Sequence, residues 1–274
     1  RSLVNISGMS SGAIWAPAVR SLSRGAREAG CYMDTGEGGL SPYHLEGGSD
    51  IIMQMGTAKY GMRNQDGSRR AEKLKELAQV VKAFEIKLSQ GAKPGKGGVL
   101  PGGKVTDEIS KIRGIPPWQD SISPNRHYDI ANMDQLLDKV AYMRELTGRP
   151  VGIKTAIGGW DFVNDLCETV LRRGRDYAPD FLAIDGGEGG SGAAPQTLMD
   201  HMALPITEAL PRVVDSLLQA DLKKRIRVMA AGKLDTSARA AWALCVGADL
   251  VNTARGFMFS LGCIQALRCH QNTC

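Results

Sequence analysis

The sequence predicts a (β/α)₈ barrel, a closed parallel sheet wrapped in helices, with residues 1–274 forming one domain. Three observations point there. In the second half, short apolar runs alternate with amphipathic stretches of about 10–15 residues, the pattern of parallel strands joined by crossover helices. Gly, Ser, Gln and Lys gather directly after those runs, at the C-terminal strand ends where barrel enzymes carry their chemistry. The length of 274 residues is ordinary for one such barrel.

Taken in order, Leu3–Ser7 reads as the first strand and Gly8-Met9-Ser10-Ser11-Gly12 as its loop. A helical pattern follows from Ala13 to Ala29. Cys31–Asp34 is a short strand that meets Thr35-Gly36-Glu37-Gly38-Gly39. Residues 40–84 read as a loop and one helix, Arg70–Ala78. Phe84–Leu88 is strand-like and enters Ser89-Gln90-Gly91-Ala92-Lys93-Pro94-Gly95. The Gly/Pro/Lys-rich stretch Gly91–Lys104 is too long for a simple turn, and such loops in a compact domain commonly carry function. Asp120–Ser123 reads as a short strand and Met133–Leu146 as a helix. The remaining strands are Val151–Thr155, Phe181–Asp185, Ile226–Ala230 and Leu250–Thr253. Their helices are Asp161–Arg173, Ile206–Leu218 and Thr236–Val246, and a last helix leads into the terminal cysteines. These are about eight strands, the number a closed barrel needs.

Composition narrows the function. Charged residues make up 23% and the net charge is +5, with bases and acids interleaved along helices, so no nucleic-acid patch is expected. Aromatics at 5% are too few for a base-stacking surface. No apolar run reaches the roughly 18 residues of a membrane span. The six cysteines do not form the even framework of a small secreted scaffold, so a reducing cytoplasm is expected. The first residue is Arg, which suggests a piece of a longer protein, and a targeting or membrane segment could have been left out with its N-terminus.

Three constellations could carry chemistry. Two late loops, Asp185-Gly186-Gly187-Glu188-Gly189-Gly190-Ser191-Gly192 and Ala231-Gly232-Lys233, offer backbone N–H groups, and Arg255 follows the last strand. Together they suit a phosphate. Polar residues at strand ends, Gln90, Lys93 and Lys154, form the second set; a Lys at the barrel mouth calls for an anionic partner. The third is Cys263-x₅-Cys269-x₄-Cys274, three thiols able to hold an iron–sulfur cluster. Zinc with His270 as fourth ligand, and free or disulfide-bonded cysteines, remain open at this point. His127, close to Asp129, could reach the mouth, whereas Cys167 and Cys245 read as small core residues.

The sequence resembles the synthase domain of glutamate synthases over nearly its whole length, above all stand-alone glutamate-synthase-like proteins without a glutaminase domain. The resemblance rests on Gly8-Met9-Ser10, Thr35-Gly36-Glu37-Gly38-Gly39, Lys87-Leu88-Ser89-Gln90-Gly91-Ala92-Lys93-Pro94-Gly95, Leu100-Pro101-Gly102-Gly103-Lys104-Val105, Gly190-Ser191-Gly192-Ala193-Ala194-Pro195 and the terminal cysteines. It implies an FMN-binding barrel with a 3Fe-4S cluster. Met9 and Ser10 would lie against the flavin ring, with Gln90 and Lys154 on its polar edge. Gly190, Ser191, Gly192, Gly232, Lys233, Ala254 and Arg255 would surround the FMN phosphate. Glu37 and Lys93 would act on the substrate, and Cys263, Cys269 and Cys274 would ligate the cluster.

The implied reaction joins ammonia to 2-oxoglutarate and reduces 2-iminoglutarate to L-glutamate. Electrons would come from a donor protein, a ferredoxin or an NAD(P)H-oxidising subunit. Two departures matter. Val99 stands where the family commonly has a Gln that helps bind the oxo acid, which opens the alternative of another oxo or amino acid. No glutaminase segment is present, so a separate ammonia source is expected. A non-catalytic electron-transfer subunit is the alternative of a different kind, and Glu37 and Lys93 argue against it.

Overall fold

The structure is a computed structural model, and it describes residues 2–62, 71–93, 97–190, 194–195, 197–266 and 268–269. In chain order the elements are β1 (Val4–Ile6), α1 (Ser11–Ala29), β2 (Tyr32–Asp34), α2 (Pro42–Leu45), β3 (Asp50–Met55), α3 (Ala71–Val80) and β4 (Ala83–Lys87). Then come β5 (Val99–Leu100), α4 (Asp107–Arg113), β6 (Ser121–Ile122), α5 (Met133–Thr147), β7 (Val151–Thr155) and α6 (Asp161–Arg173). The last are β8 (Phe181–Asp185), α7 (Ile206–Gln219), β9 (Arg227–Ala231), α8 (Ser237–Val246), β10 (Leu250–Thr253) and α9 (Arg255–Ser260).

Eight of these strands close a parallel barrel in the order β1-β2-β3-β4-β7-β8-β9-β10. The seam is in register, with Val4, Asn5 and Ile6 opposite Val251, Asn252 and Thr253. The expected barrel is therefore correct, but one of its strands was assigned wrongly. Asp120–Ser123 does not enter the barrel: β6 pairs antiparallel with β5, Val99 opposite Ile122, in a hairpin outside it. The true third strand is β3, in a region expected to hold only a loop and a helix. A short apolar run such as Asp50-Ile51-Ile52-Met53-Gln54-Met55 has no period that separates strand from helix, and only its pairing with β2 and β4 decides it.

Local signals explain the helix boundaries. Asn132 caps α5 by accepting from the Gln135 N–H at 3.0 Å, and Gly148 ends it in the left-handed region at φ 63°. Leu136, Leu137, Val140 and Met143 of α5 are buried against the barrel. Glu188 accepts from the first N–H of α7, Ile206, at 3.0 Å. The main core is the shell between barrel and helices. A smaller, separate cluster of Ile52, Ala83, Phe181, Ala183 and Met229 fills the lower barrel interior. Gly152 is required there: a Cβ would sit 2.2 Å from the Phe181 ring.

Candidate active site

The strand alternation that buries Ile52, Ala83 and Phe181 places Gln54, Glu85 and Asp185 two or four residues further on, in the same interior column. Asp34 and Lys154 join them from β2 and β7. All five are buried, so the upper interior is a layer of charge and amide. The Gln54 side-chain amide donates to Glu85 Oε1 at 2.6 Å and to Asp34 Oδ2 at 3.2 Å. Asp34 also accepts from the Gly36 N–H at 2.7 Å, and Asp185 from the Gly91 N–H at 2.9 Å. Burial, then the charge of Asp34, pushes the Glu85 carboxyl up to about 8. Burial alone would lower the Lys154 ammonium; Glu85, Asp185, Asp34 and Glu37 outweigh it and raise its pKa. The Lys154 side chain makes no hydrogen bond to any described residue, and it lines the cavity above.

That cavity, about 290 Å³, opens at the C-terminal strand ends. Met9, Ser10, Gln90, Lys154, Gly190, Gly232, Lys233, Ala254 and Arg255 line it, as do Glu37, Lys93, Cys263 and Cys269. Every residue that the family resemblance assigns to the site and that the structure describes thus borders one space. Ser191, Gly192 and Cys274 lie outside the described residues.

One wall is backbone. A Cβ on Gly190 (φ +134°) would fall 1.8 Å from the Ala92 Cβ, and one on Gly232 (φ +129°) 2.9 Å from the Gly186 nitrogen. Only glycine lets these loops meet. Lys233 sits beside them and pairs with Asp200 at 3.4 Å; Arg255 has no carboxylate partner among the described residues.

The opposite wall is ionic. Lys87 Nζ lies 3.0 Å from Glu37 Oε2 and donates to Gln90 Oε1 at 2.5 Å. Lys87 first, with further help from Lys93 and Arg113, holds the Glu37 carboxyl below its ordinary value. Glu37 is therefore an anchored anion at neutral pH. Gly98 leaves room for it, since a Cβ there would lie 2.5 Å from Glu37 Oε1. The buried Arg113 guanidinium stacks on the Tyr60 ring at 4.8 Å and faces the cavity. Lys104, also buried, donates to the carbonyls of Ala13 (3.2 Å) and Cys269 (2.6 Å). Cys263 Sγ accepts from the Gln265 N–H at 3.4 Å.

Sequence reading missed Asp34, Gln54, Glu85, Lys87, Lys104 and Arg113 as site residues. Glu85 carried a signal, a lone acid inside the apolar strand Ala83-Phe84-Glu85-Ile86. Arg113 and Lys104 carried none, because only the fold brings α4 and the loop before it to the mouth. His127, read as a possible mouth residue, does not line the cavity; its Nε2 meets the Lys87 carbonyl at 2.8 Å, and burial lowers its pKa to about 4.

A family model described as a conserved region in glutamate synthase matches residues 1–274. The chain belongs to the glutamate synthase family. It is 45% identical to the glutamate synthase large subunit-like protein YerD of Bacillus subtilis, over 100% of this chain and 52% of that protein. It is 35% identical to an archaeal-type glutamate synthase (NADPH) of Thermotoga maritima, over 99% of this chain and 50% of that one. The chain thus spans about half the length of the curated relatives it matches. Among solved structures, the flavin-binding domain of baker's yeast flavocytochrome b2 aligns with a TM-score of 0.59 at 16% identity, over 98% of this chain and 62% of that one. That likeness concerns the fold. No helix among the described residues is long and apolar enough to cross a membrane.

Proposed function

We propose that this glutamate synthase family domain binds FMN at the barrel mouth and reduces 2-iminoglutarate, formed from 2-oxoglutarate and ammonia, to L-glutamate. The observation that carries the reading is the pairing, across one cavity, of a buried lysine whose side chain has no hydrogen-bond partner among the described residues and a glycine-built wall bearing Lys233 and Arg255. A flavin fits both. Lys154 and Gln90 would take its polar edge, Met9 and Ser10 would flank the ring, and Gly190, Ser191, Gly192, Gly232, Lys233, Ala254 and Arg255 would hold the phosphate. Cys263, Cys269 and Cys274 would hold a 3Fe-4S cluster beside it; two of the three thiols border the cavity. When bound, FMN supplies the hydride that the imine accepts, and the cluster the electrons that replace it.

The chain's own residues bind and orient. Lys93 and Arg113 present cations for the two carboxylates of a 2-oxo diacid. Glu37, kept ionised by Lys87, fixes the direction of that lysine and remains an acceptor for the ammonium or imine N–H. The electron donor would be a ferredoxin or an NAD(P)H-oxidising subunit, ammonia would come from a separate source, and a reducing cytoplasm suits the thiolate ligands.

Titration of the purified protein with FMN should give a flavin spectrum at about one equivalent, together with measurable iron. Turnover of 2-oxoglutarate and ammonia with a reduced donor should follow. A flavin-loaded protein inert with 2-oxoglutarate but active on another oxo acid would support the second reading, an FMN oxidoreductase of different substrate. Val99 favours that reading, because it gives the cavity an apolar side chain where the family commonly has Gln.

A further inference from the structure

We propose that Glu85 is a proton-holding residue beneath the flavin site, a buried carboxylic acid that takes up one proton from solvent when negative charge arrives at Lys154. This rests on the FMN reading above. Three features carry it. The Glu85 side chain is wholly buried; among the described residues it accepts from Gln54 alone, and its second oxygen finds no donor, with the Asp34 carboxyl as its close neighbour. The same amide also serves Asp34, which in addition takes the Gly36 N–H, so Glu85 is the carboxyl with fewer donors and the one on which burial favours the proton. The charge between this pair and the cavity is Lys154, whose side chain makes no hydrogen bond to any described residue.

Two carboxylates bridged by one amide away from water do not both ionise at low cost. The groups facing Glu85 are Asp34 and Tyr32 on β2, Gln54 on β3 and Lys154 on β7, with Asp185 on β8 beyond the lysine. Burial and Asp34 hold the Glu85 proton against the pull of Lys154, placing its titration at about 8. Near that pH the layer is poised, and an added negative charge at Lys154 draws a proton onto Glu85. The step balances simply: an external reductant supplies the electrons, solvent supplies the proton, and the only bond formed is O–H on Glu85. Glu85 acts through Lys154 and is thus a positioning residue for charge.

The test counts protons. FMN-loaded protein is reduced with dithionite in weak buffer containing a pH indicator, at several pH values from 7 to 9. The wild-type chain should take up an excess of up to one proton per flavin, greatest around and above pH 8, and the isosteric Glu85→Gln should lack it. Asp34→Asn should move the onset of the excess to lower pH, which covers the case of a poorly folding Glu85 variant. Equal uptake by wild type and both variants at all pH values overturns the proposal while leaving flavin binding intact. A chain that takes up no FMN overturns both readings. Infrared spectra of the flavin-free protein at pH 7 give an independent check: a carboxylic-acid carbonyl band should be present in the wild type and lost in Glu85→Gln, and its absence from the wild type also overturns the proposal.

Discussion

The lower and upper layers of the barrel interior are built by the same strands with the same alternation, yet they are opposite in chemistry. Below lie Ile52, Ala83, Phe181, Ala183 and Met229, all apolar and buried. Above them, further along the same strands, lie Gln54, Glu85 and Asp185, with Asp34 and Lys154. Burying the lower set stabilises the barrel by the apolar area it removes from water. Burying the upper set costs free energy unless every charge is matched. A fold that retains such a layer at the strand ends, where it lines a cavity, is spending stability on chemistry. Changes in the lower layer should therefore act on stability, and changes in the upper layer on ligand and proton.

The largest expected effect is Phe181→Ala. Removing this buried ring should lower stability by about 3–5 kcal/mol, read from urea unfolding. FMN affinity of the folded fraction should be unchanged. A loss of affinity with intact stability would break the division between layers.

Next comes the pH dependence of Glu85. Its folded value of about 8 lies above the ordinary 4.5, so between those two values the folded state binds one more proton than the unfolded chain. Stability from this group is full below about pH 4.5 and is lost as pH rises through 8. His44 and His127, both lowered to about 4 by burial, work in the opposite direction under acid, so the two-variant difference is the useful quantity. Glu85→Gln should gain on the wild type by up to a few kcal/mol between pH 5.5 and 8.5, measured as the divergence of their urea midpoints. A constant difference across that range would show that Glu85 does not hold its proton in the folded state.

This division was only half legible in the sequence. The late strands and their loops were readable because Phe181–Asp185 and Leu250–Thr253 end abruptly in glycine or in Ala254-Arg255, local signals that need no partner. The polar layer was not, because Asp34, Gln54 and Glu85 are separated by 20 and 31 residues and meet only across the parallel register. The same distance hid β3 itself. Lys154 was readable as a lysine at a strand end, but that its side chain has no hydrogen-bond partner among the described residues is a property of the packed barrel.

Lys154→Met sharpens the comparison from above. A charge-assisted hydrogen bond to the flavin edge is worth about 1.5–3 kcal/mol, so FMN affinity should fall by roughly tenfold to a hundredfold in a fluorescence titration. The lower layer is untouched, and the far-ultraviolet spectrum should not change. Full retention of affinity would remove the polar-edge role from Lys154.

The smallest effect separates the two cations of the backbone wall. Lys233 already shares its charge with Asp200 at 3.4 Å, whereas Arg255 has no carboxylate partner among the described residues. A phosphate should therefore rely more on Arg255. Arg255→Ala should weaken FMN binding by about tenfold, a loss of about 1.4 kcal/mol, and Lys233→Ala by less. Riboflavin, which lacks the phosphate, should bind both variants as it binds the wild type. If riboflavin and FMN lose affinity in parallel, Arg255 acts on the ring side of the cavity, and the glycine wall formed by Gly190 and Gly232 is not where the phosphate lies.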